Sequence, residues 1–271
     1  MNLKTRSFIK ALIKRRAPWV SRWVVEPWLI GRYRRSMARL EQVERQVVNR
    51  YGLKVQAGPF EGLLYLPEAK NSGFAPKILG CYESEIAPAV ASAIAGSYET
   101  IVDVGCAEGY FAVGFALKSP RSTVLAFDID PDCRALCGKL AELNGVADRV
   151  IVGSRCDHAE LHKIGARRVF LMSDCEGFEA ELLDPAKAPA MIGWDLLVEL
   201  HECASPGVTA VMAKRFEATH EITLFDSIRR NPDDFPQADF LRARRDRVQA
   251  VCDLRGSWQQ WAFLRARNPI P

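Results

Sequence analysis

The sequence predicts an α/β protein with a mainly parallel sheet covered by helices on both faces. Short apolar, β-rich segments alternate with helical segments through the middle of the chain, and a glycine turn at Gly105 follows the first of them. Strands and helices that alternate at this spacing form right-handed crossovers, which make neighbouring strands parallel. The 271 residues, 48% of them hydrophobic, suffice for one large domain or two small ones.

Each predicted element corresponds to an apolar run or a helical period. The predicted core strands cover residues 100–104, 122–127, 149–152, 169–172 and 194–199. The predicted helices cover residues 84–95, 110–117, 133–143, 159–164 and 178–183.

The segments on either side of this core carry weaker patterns. Upstream, the glycine turns of VQAGPFEGLLYL, residues 55–66, predict strands. Downstream, the stretches RFEATHEITLF, LRARRDRVQAV and WQQWAFLRAR are expected to supply a helix, a strand and a final strand over residues 259–265.

The first 50 residues differ in charge from the rest of the chain. They hold 13 Lys and Arg against 3 Asp and Glu, whereas the remainder holds 24 against 30, although the net charge is only +4. We therefore expect a basic helical extension, 1–50, ahead of one acidic domain, 51–271. Trp19, Trp23 and Trp28 interleave with the basic side chains. Such a face suits packing on the domain or on a second subunit, an anionic membrane surface or, less well, a nucleic-acid backbone.

The cysteines and the apolar segments bear on the compartment. The eight cysteines are scattered without a CxxC pair, which is typical of reduced thiols in a cytoplasmic protein. Basic residues interrupt every apolar run near the N-terminus, and no later run approaches the about 20 residues needed to span a bilayer. We expect a cytoplasmic protein, with peripheral membrane association through the extension left open.

The segment IVDVGCAEGYF, residues 101–111, runs from a predicted strand through a turn into a helix. Gly105 and Gly109 let the backbone turn tightly beside a ligand. Their G-x-x-x-G spacing differs from the dinucleotide pattern G-x-G-x-x-G, and Glu108 would repel a pyrophosphate. An acidic turn suits a ligand with positive charge. The glycine spacing disfavours a nicotinamide-dependent oxidoreductase.

Acidic residues also follow the next two predicted strands. Asp128 ends the second strand, where a carboxylate accepts hydrogen bonds from the hydroxyls of a ribose. Asp157 follows the third strand and is placed to accept a hydrogen bond from the exocyclic amine of an adenine. Either acid alone also fits a turn or a helix N-cap. Acids in order after successive strands predict a nucleoside site.

These segments resemble the S-adenosylmethionine-dependent methyltransferases with the Rossmann-like fold, whose turn reads D-x-G-x-x-x-G. The resemblance implies a seven-stranded sheet that ends in an antiparallel C-terminal hairpin, and S-adenosylmethionine as the cofactor. The residues it implies for cofactor binding are Asp103, Gly105, Cys106 and Gly109 at the methionine end, Asp128 at the ribose with its neighbour Ile129, and Asp157 at the adenine.

Two later segments narrow the resemblance to the FkbM-type methyltransferases. In LMSDCEGFEAELL, residues 171–183, the fourth strand ends in the D-x-E-G-x-E pattern of that family. In LLVELHE, residues 196–202, the fifth strand ends in a Glu followed by a His or similar residue. The segment LGCYESEI, residues 79–86, resembles the one before the family's first core strand.

The candidate catalytic residues follow the fourth and fifth strands. Asp174 and Glu176 follow the fourth strand, and His201 and Glu202 follow the fifth, so we expect all four at the rim of the site. His201 is the natural general base, because its unperturbed pKa is near neutral. Asp174 or Glu176 could orient it or the acceptor. These side chains could also ligate a divalent metal, but no metal is predicted.

The predicted function is O-methylation of a small-molecule or sugar hydroxyl. One alternative keeps the cofactor and changes the substrate to RNA or another nucleic acid, bound through the basic extension. The sequence contains neither an N-P-P-[YF] tetrapeptide nor a Pro-Cys nucleophile in support of it. Another alternative is a non-catalytic, membrane-associated protein with the same fold.

Overall fold

The computed structural model describes residues 26–68, 73–253 and 258–270, with side chains from residue 35 onward. The chain divides into two compact units, Met1–Gln46 and Val47–Pro271. Helix α1, Glu26–Tyr51, is the first described element, so the predicted boundary at residue 50 lies in its last turn. Residues 1–25 of the predicted extension lie outside the described residues, and its partners stay predictions. No helix in the described part is long and apolar enough to cross a membrane.

A seven-stranded sheet forms the centre of the second unit. Its strands are β1 Thr100–Val104, β2 Thr123–Phe127, β3 Val150–Gly153, β4 Val169–Ser173, β5 Asp195–Leu200, β6 His220–Asp226 and β7 Gln260–Ala266. The order is β3-β2-β1-β4-β5-β7-β6. The first five strands pair in parallel, and β7 pairs antiparallel with both β5 and β6. The predicted mostly parallel sheet with an antiparallel C-terminal hairpin is confirmed.

Helices connect the strands. Those after α1 are α2 Phe74–Leu79, α3 Ala87–Ala95, α4 Tyr110–Lys118, α5 Pro131–Leu143, α6 His158–Ile164, α7 Glu179–Leu182, α8 Val208–Phe216 and α9 Arg244–Ala250. Helix α5 begins two residues before its predicted start. There the Asp130 side chain accepts a hydrogen bond from the Asp132 N–H at 2.8 Å, and proline favours the first turn of a helix.

The central strands are buried on both faces. Val102, Leu171 and Leu196 lie in one core cluster with side chains from α6, α7 and α8. On the opposite face Phe170 packs against Phe115 of α4, with 5.3 Å between the ring centroids. Because β1 and β4 are buried along their whole length, they are apolar runs rather than alternating ones, as strands of a covered parallel sheet are.

The strands predicted over residues 55–66 do not form. The described backbone has a single isolated antiparallel bridge there, between Lys54 and Leu64. Gly58 and Gly62 have φ of 74° and 93°, so the chain turns twice within the segment. Two left-handed turns so close together leave no room for an extended ladder.

The order of the C-terminal elements also differs from the expected one. Strand β6, His220–Asp226, lies in the stretch expected to be helical, and helix α9 lies in the stretch expected to be a strand. The predicted final strand, 259–265, is β7 displaced by one residue. Pairing decides the order, because β6 aligns with β7 over seven residues from His220↔Ala266 to Asp226↔Gln260.

Gly105 permits a close approach between the turn after β1 and the chain that follows β4. It has φ of 86°, and a Cβ at this position would lie 1.8 Å from the carbonyl oxygen of Asp174. We expect Gly105→Ala to lower the free energy of unfolding by roughly 2–4 kcal/mol in urea denaturation, because backbone must move.

Gly138→Ala is the matched control, because no atom lies within 4 Å of a Cβ at that helical position. It should change stability by less than about 1 kcal/mol, in the stabilising direction. Equal midpoints for Gly105→Ala and the wild type would contradict the close approach.

Candidate active site

A cavity of about 710 Å³ lies at the carboxyl ends of β1, β2, β4 and β5. The strand order reverses between β1 and β4, which is where open α/β sheets bind their ligands. Among the described residues, nine carboxylates and two cationic side chains line it. The carboxylates belong to Glu83, Asp103, Glu108, Asp128, Asp130, Asp174, Glu176, Glu199 and Asp253, and the cations are Lys77 and Arg155. This excess of negative charge favours a ligand that carries positive charge.

The turn after β1 is tied to the end of β2. The backbone N–H groups of Gly105 and Cys106 donate to the carbonyl oxygen of Phe127 at 2.8 and 3.0 Å. Gly109 has φ of 95°, and a Cβ there would lie 2.8 Å from the sulfur of Cys137. Both predicted glycines therefore occupy positions that a larger residue would strain, and they bring the turn to the cavity wall.

Asp128 lies where the sequence predicts a ribose ligand, at the end of β2 in the cavity wall. Its Oδ2 accepts a hydrogen bond from the Ala107 N–H and its Oδ1 one from the Asp130 N–H, both at 2.8 Å. These bonds fix the carboxylate, and each oxygen keeps a further lone pair for a ligand. Ile129 also lines the cavity and is 82% exposed, so its apolar side chain is available to a ligand.

Asp103 is buried within β1 and also lines the cavity. Burial raises its pKa to about 7; the nearby Asp128 adds to the effect, and a hydrogen bond from the Ala112 N–H opposes it. Its Oδ2 has no hydrogen-bond partner among the described residues. A buried carboxylate oxygen in this state is a ready acceptor for an ammonium group.

Glu108 does not supply the exposed negative charge expected of the turn. It is buried, and it accepts hydrogen bonds from the hydroxyl of Tyr65 and the ammonium of Lys77. The Lys77 charge offsets its own, since both side chains are almost fully buried. The acidic character of this end of the cavity therefore comes from Asp103, Asp128 and Asp130.

Cys106 lies in the wall, as the resemblance implies. Its thiol is buried and contacts the carbonyl oxygen of Ala107 at 3.7 Å. A hydrogen bond with Cys137, followed by burial, raises the pKa of the Cys106 thiol. A thiol held in its protonated form is a packing group and not a nucleophile.

Asp157 is placed outside the cavity lining. It is exposed and caps α6, where its Oδ1 accepts a hydrogen bond from the Glu160 N–H at 3.0 Å. That bond lowers the pKa of Asp157. Ser154, Arg155 and Cys156 line this end of the cavity instead. The adenine contact of Asp157 stays a prediction.

Three predicted catalytic residues come together after β4 and β5. The His201 Nε2 lies 3.5 Å from the Asp174 Oδ1 and 3.5 Å from the Glu176 Oε2. Asp174 and Glu176 line the cavity, while His201 is only 2% exposed. Burial raises the pKa of Asp174 well above its usual value, and the nearby carboxylates of Glu199 and Glu83 add to the effect.

Glu179 orients the histidine. It is fully buried, and its Oε1 lies 2.6 Å from the His201 Nδ1 and accepts a hydrogen bond from the Gly177 N–H at 3.0 Å. Burial opposes ionisation of both groups, but their mutual interaction prevails: the pKa of Glu179 is lowered and that of His201 is raised. The Nδ1–H of His201 therefore donates a hydrogen bond to Glu179, and the Nε2 of His201 faces Asp174 and Glu176.

The backbone between these residues is strained. Glu176 has φ of 55° and Gly177 has φ of 107°, two consecutive residues in the left-handed region. A Cβ at Gly177 would lie 2.8 Å from the Cβ of Ala204, so the chain after β4 presses on the chain after β5. Non-glycine residues held in this region cluster at active sites and ligand-binding sites.

Glu202 lies outside this cluster. Its carboxylate accepts hydrogen bonds from the N–H groups of Gly207 and Thr209, at 2.7 and 2.9 Å. The expectation that it reaches the rim was therefore wrong, because the start of α8 offers it two unsatisfied backbone donors.

Sequence reasoning missed three acidic members of the site. Glu199 lies 3.7 Å from the His201 Nε2, Glu83 lines the cavity with φ of 47°, and Glu179 holds the other nitrogen of the histidine. Glu199 carries a signal in the sequence, since it is an acid inside an apolar strand. Glu179 is the last residue of the D-x-E-G-x-E pattern and resembles a helix-flanking acid.

Comparison with known proteins by sequence finds a local likeness. No family model matches the chain. Over 52 residues it is 42% identical to the ribosomal protein L11 methyltransferases of three Actinobacillus pleuropneumoniae serotypes. That stretch is 19% of this chain and 17% of those proteins, so most of each lies outside the likeness.

Comparison of structures finds methyltransferases at low similarity. The O-methyltransferase TomG of Streptomyces achromogenes, solved with S-adenosylmethionine, is 14% identical, with 84% of this chain and 89% of that chain covered and a TM-score of 0.42. An rRNA methylase of Streptococcus thermophilus is 11% identical, with 64% and 91% covered and a TM-score of 0.40. The C-terminal domain of a precorrin-6Y C5,15-methyltransferase from Rhodobacter capsulatus is 11% identical, with 67% and 89% covered and a TM-score of 0.43. The strand order itself defines the fold.

The buried Asp103 makes stability depend on pH. Its pKa is higher in the folded chain than in the unfolded one, so stability falls as the pH rises from about 4 through about 7. Asp103→Asn keeps an acceptor for the Ala112 N–H and does not titrate. In thermal unfolding without ligand, we expect the variant to gain roughly 2–4 kcal/mol over the wild type at about pH 8 and much less at about pH 5. Parallel pH profiles for the two proteins would contradict this account.

Proposed function

We propose that the protein is an S-adenosylmethionine-dependent methyltransferase that methylates a hydroxyl group of a small molecule or sugar. The observation that carries the proposal is the acid-lined cavity at the reversal of strand order, with the glycine turn and Asp128 on one side and the His201 cluster on the other. The local identity with ribosomal protein L11 methyltransferases supports methyl transfer as the class of reaction.

The residues of the β1 and β2 ends fit this cofactor chemically. S-adenosylmethionine carries an ammonium, a sulfonium and a ribose, and its sulfonium supplies an activated methyl group. The buried Asp103 Oδ2, without a partner among the described residues, is an acceptor for the ammonium. Asp128, held by two backbone N–H groups, is an acceptor for the ribose hydroxyls. The excess of carboxylates in the cavity favours the cationic form over its neutral demethylated product.

The acceptor side has a different task. Methyl transfer forms a bond from the acceptor oxygen to the methyl carbon, while the carbon–sulfur bond breaks and its electron pair stays on sulfur. The hydroxyl proton must leave in the same step or before it. Asp174, Glu176 and His201 are the polar groups placed to hold the hydroxyl and to promote loss of that proton.

The FkbM-type assignment belongs to this proposal. It is supported by the way its two segments meet: the D-x-E-G-x-E residues Asp174, Glu176 and Glu179 all approach His201 after the fifth strand. Three acids of one short segment and a histidine that follows the next strand thus form one cluster beside the cavity. The resemblance to this family also implies that the acceptor is a small molecule or a sugar.

Cofactor binding tests the first half of the proposal. We expect isothermal titration calorimetry to show binding of S-adenosylmethionine and of its demethylated product in the micromolar range, and no binding of NAD. Asp128→Ala should weaken binding at least about 10-fold, because the ribose loses its acceptor. Asp148→Ala, which removes an exposed carboxylate outside the cavity wall, should bind like the wild type. Binding of NAD in place of S-adenosylmethionine would overturn the proposal.

Turnover tests the second half. Formation of the demethylated product should be screened with sugars and small hydroxyl compounds as acceptors. With an acceptor so identified, His201→Ala should lower kcat by roughly 100-fold or more and leave cofactor affinity unchanged, since His201 acts on the acceptor side. The control His158→Ala changes a histidine that contacts the Glu181 carbonyl away from the cavity. Turnover with RNA alone would refute the small-molecule acceptor.

A further inference from the structure

The His201 cluster contains two buried polar atoms that lack a partner. The His201 Nε2 and the Asp174 Oδ1 make no hydrogen bond within the described part of the chain. They lie 3.5 Å apart, and the Glu176 Oε2 lies 3.5 Å from the same nitrogen. Buried polar atoms are nearly always satisfied, so a group that is not part of the chain is expected between them.

The three atoms have the separations of metal ligands. One ligand atom from each of Asp174, Glu176 and His201 lies within 4.8 Å of the others. Two atoms 3.5 Å apart both reach an ion placed about 2.1 Å from each of them. The Glu176 side chain is 84% exposed and is therefore free to close on the ion. Asp174 and Glu176 line the cavity, so an ion has a route from solvent.

Glu179 prepares the histidine for coordination. Its Oε1 accepts the Nδ1 proton at 2.6 Å and is itself held by the Gly177 N–H. This leaves the lone pair on Nε2, on the side of the carboxylates. A carboxylate that fixes the tautomer and ring orientation in this way is the usual partner of a metal-bound histidine. An Nε2 lone pair that faces carboxylates is repulsive unless a proton or a cation lies between them.

We propose that Asp174, Glu176 and His201 bind a divalent first-row transition-metal ion, with Glu179 as the positioning residue for the histidine. The ligand set decides the class of ion, because an imidazole ligand suits transition-metal ions such as iron, nickel or zinc better than magnesium or calcium. Three protein ligands leave positions open toward the cavity. This site rests on the proposed function and deepens it.

The ion changes how the acceptor loses its proton. A hydroxyl bound to a divalent cation is far more acidic than a free one. The His201 Nε2 then serves as a ligand, and the hydroxyl proton passes to water or to another carboxylate of the cavity wall. Because the acceptor oxygen would coordinate the ion, the site selects hydroxyl compounds, and it selects best those with a neighbouring oxygen that also coordinates.

The test is direct binding of Mn²⁺ to the full chain after treatment with a chelator. Electron paramagnetic resonance of free Mn²⁺ should show one bound ion per chain, and Co²⁺ should give the visible absorption of a nitrogen- and oxygen-ligated ion. We expect Glu176→Gln and His201→Ala to weaken Mn²⁺ binding at least about 10-fold, and Glu179→Gln to weaken it roughly 10-fold through the histidine. Mg²⁺ should compete only at far higher concentration.

Glu181→Gln is the matched control, because Glu181 is an exposed acid of the same segment that pairs with Lys187 outside the cluster. It should bind Mn²⁺ like the wild type. Each variant is also titrated with S-adenosylmethionine to show that it is folded. Cofactor binding without stoichiometric Mn²⁺, Co²⁺ or Zn²⁺ binding would overturn the metal site alone. Metal binding that survives His201→Ala and Glu176→Gln would place the ion elsewhere and overturn it too. Loss of cofactor binding in the wild type would instead overturn the proposed function.

Discussion

The contact between the turn after β1 and the chain after β4 determines the geometry of the whole site. Gly105 has no side chain, so its backbone lies against the Asp174 carbonyl, where a Cβ would be only 1.8 Å away. The same turn is tied to β2 through Phe127 and Asp128. The candidate cofactor residues and the candidate acceptor residues are therefore positioned by one small piece of backbone. A shift of the turn after β1 would therefore displace the acceptor residues, and a shift of the chain after β4 would displace the cofactor residues.

The site has two regions in which the negative charge of the carboxylates is balanced in different ways. Near the turn, Lys77 offsets Glu108, and the acids that remain in the cavity wall are Asp103, Asp128 and Asp130. Around His201 the described residues supply carboxylates and a single imidazole. Buried carboxylates at such short distances are stable only with a shared proton or a bound cation. Burial and this excess of negative charge together raise the pKa of Asp174.

Local pattern was enough for the elements whose environment is uniform. The central strands are mostly apolar runs, so their bounds were predicted to within about two residues. The segment 55–66 and the C-terminal stretches 215–225 and 241–251 were harder to predict. In these segments the same alternation of residues fits a strand, a turn or a short helix. In 55–66, positive φ at Gly58 and Gly62 prevents a ladder. At the C-terminus, the pairing of β6 with β7 selects His220–Asp226 as the strand.

The sequence by itself determined the fold class, the order of the central strands along the chain and the glycine turn, because strand periodicity and glycine conformation are local properties. Short motifs in the sequence also predicted Asp128 as a cofactor-binding residue and His201 as a catalytic residue. Only the tertiary structure decided which acids share a site. Glu179 and Glu199 meet His201, whereas Asp157 and Glu202 cap helices. A carboxylate looks the same in either role until packing shows whether a backbone N–H or another side chain faces it.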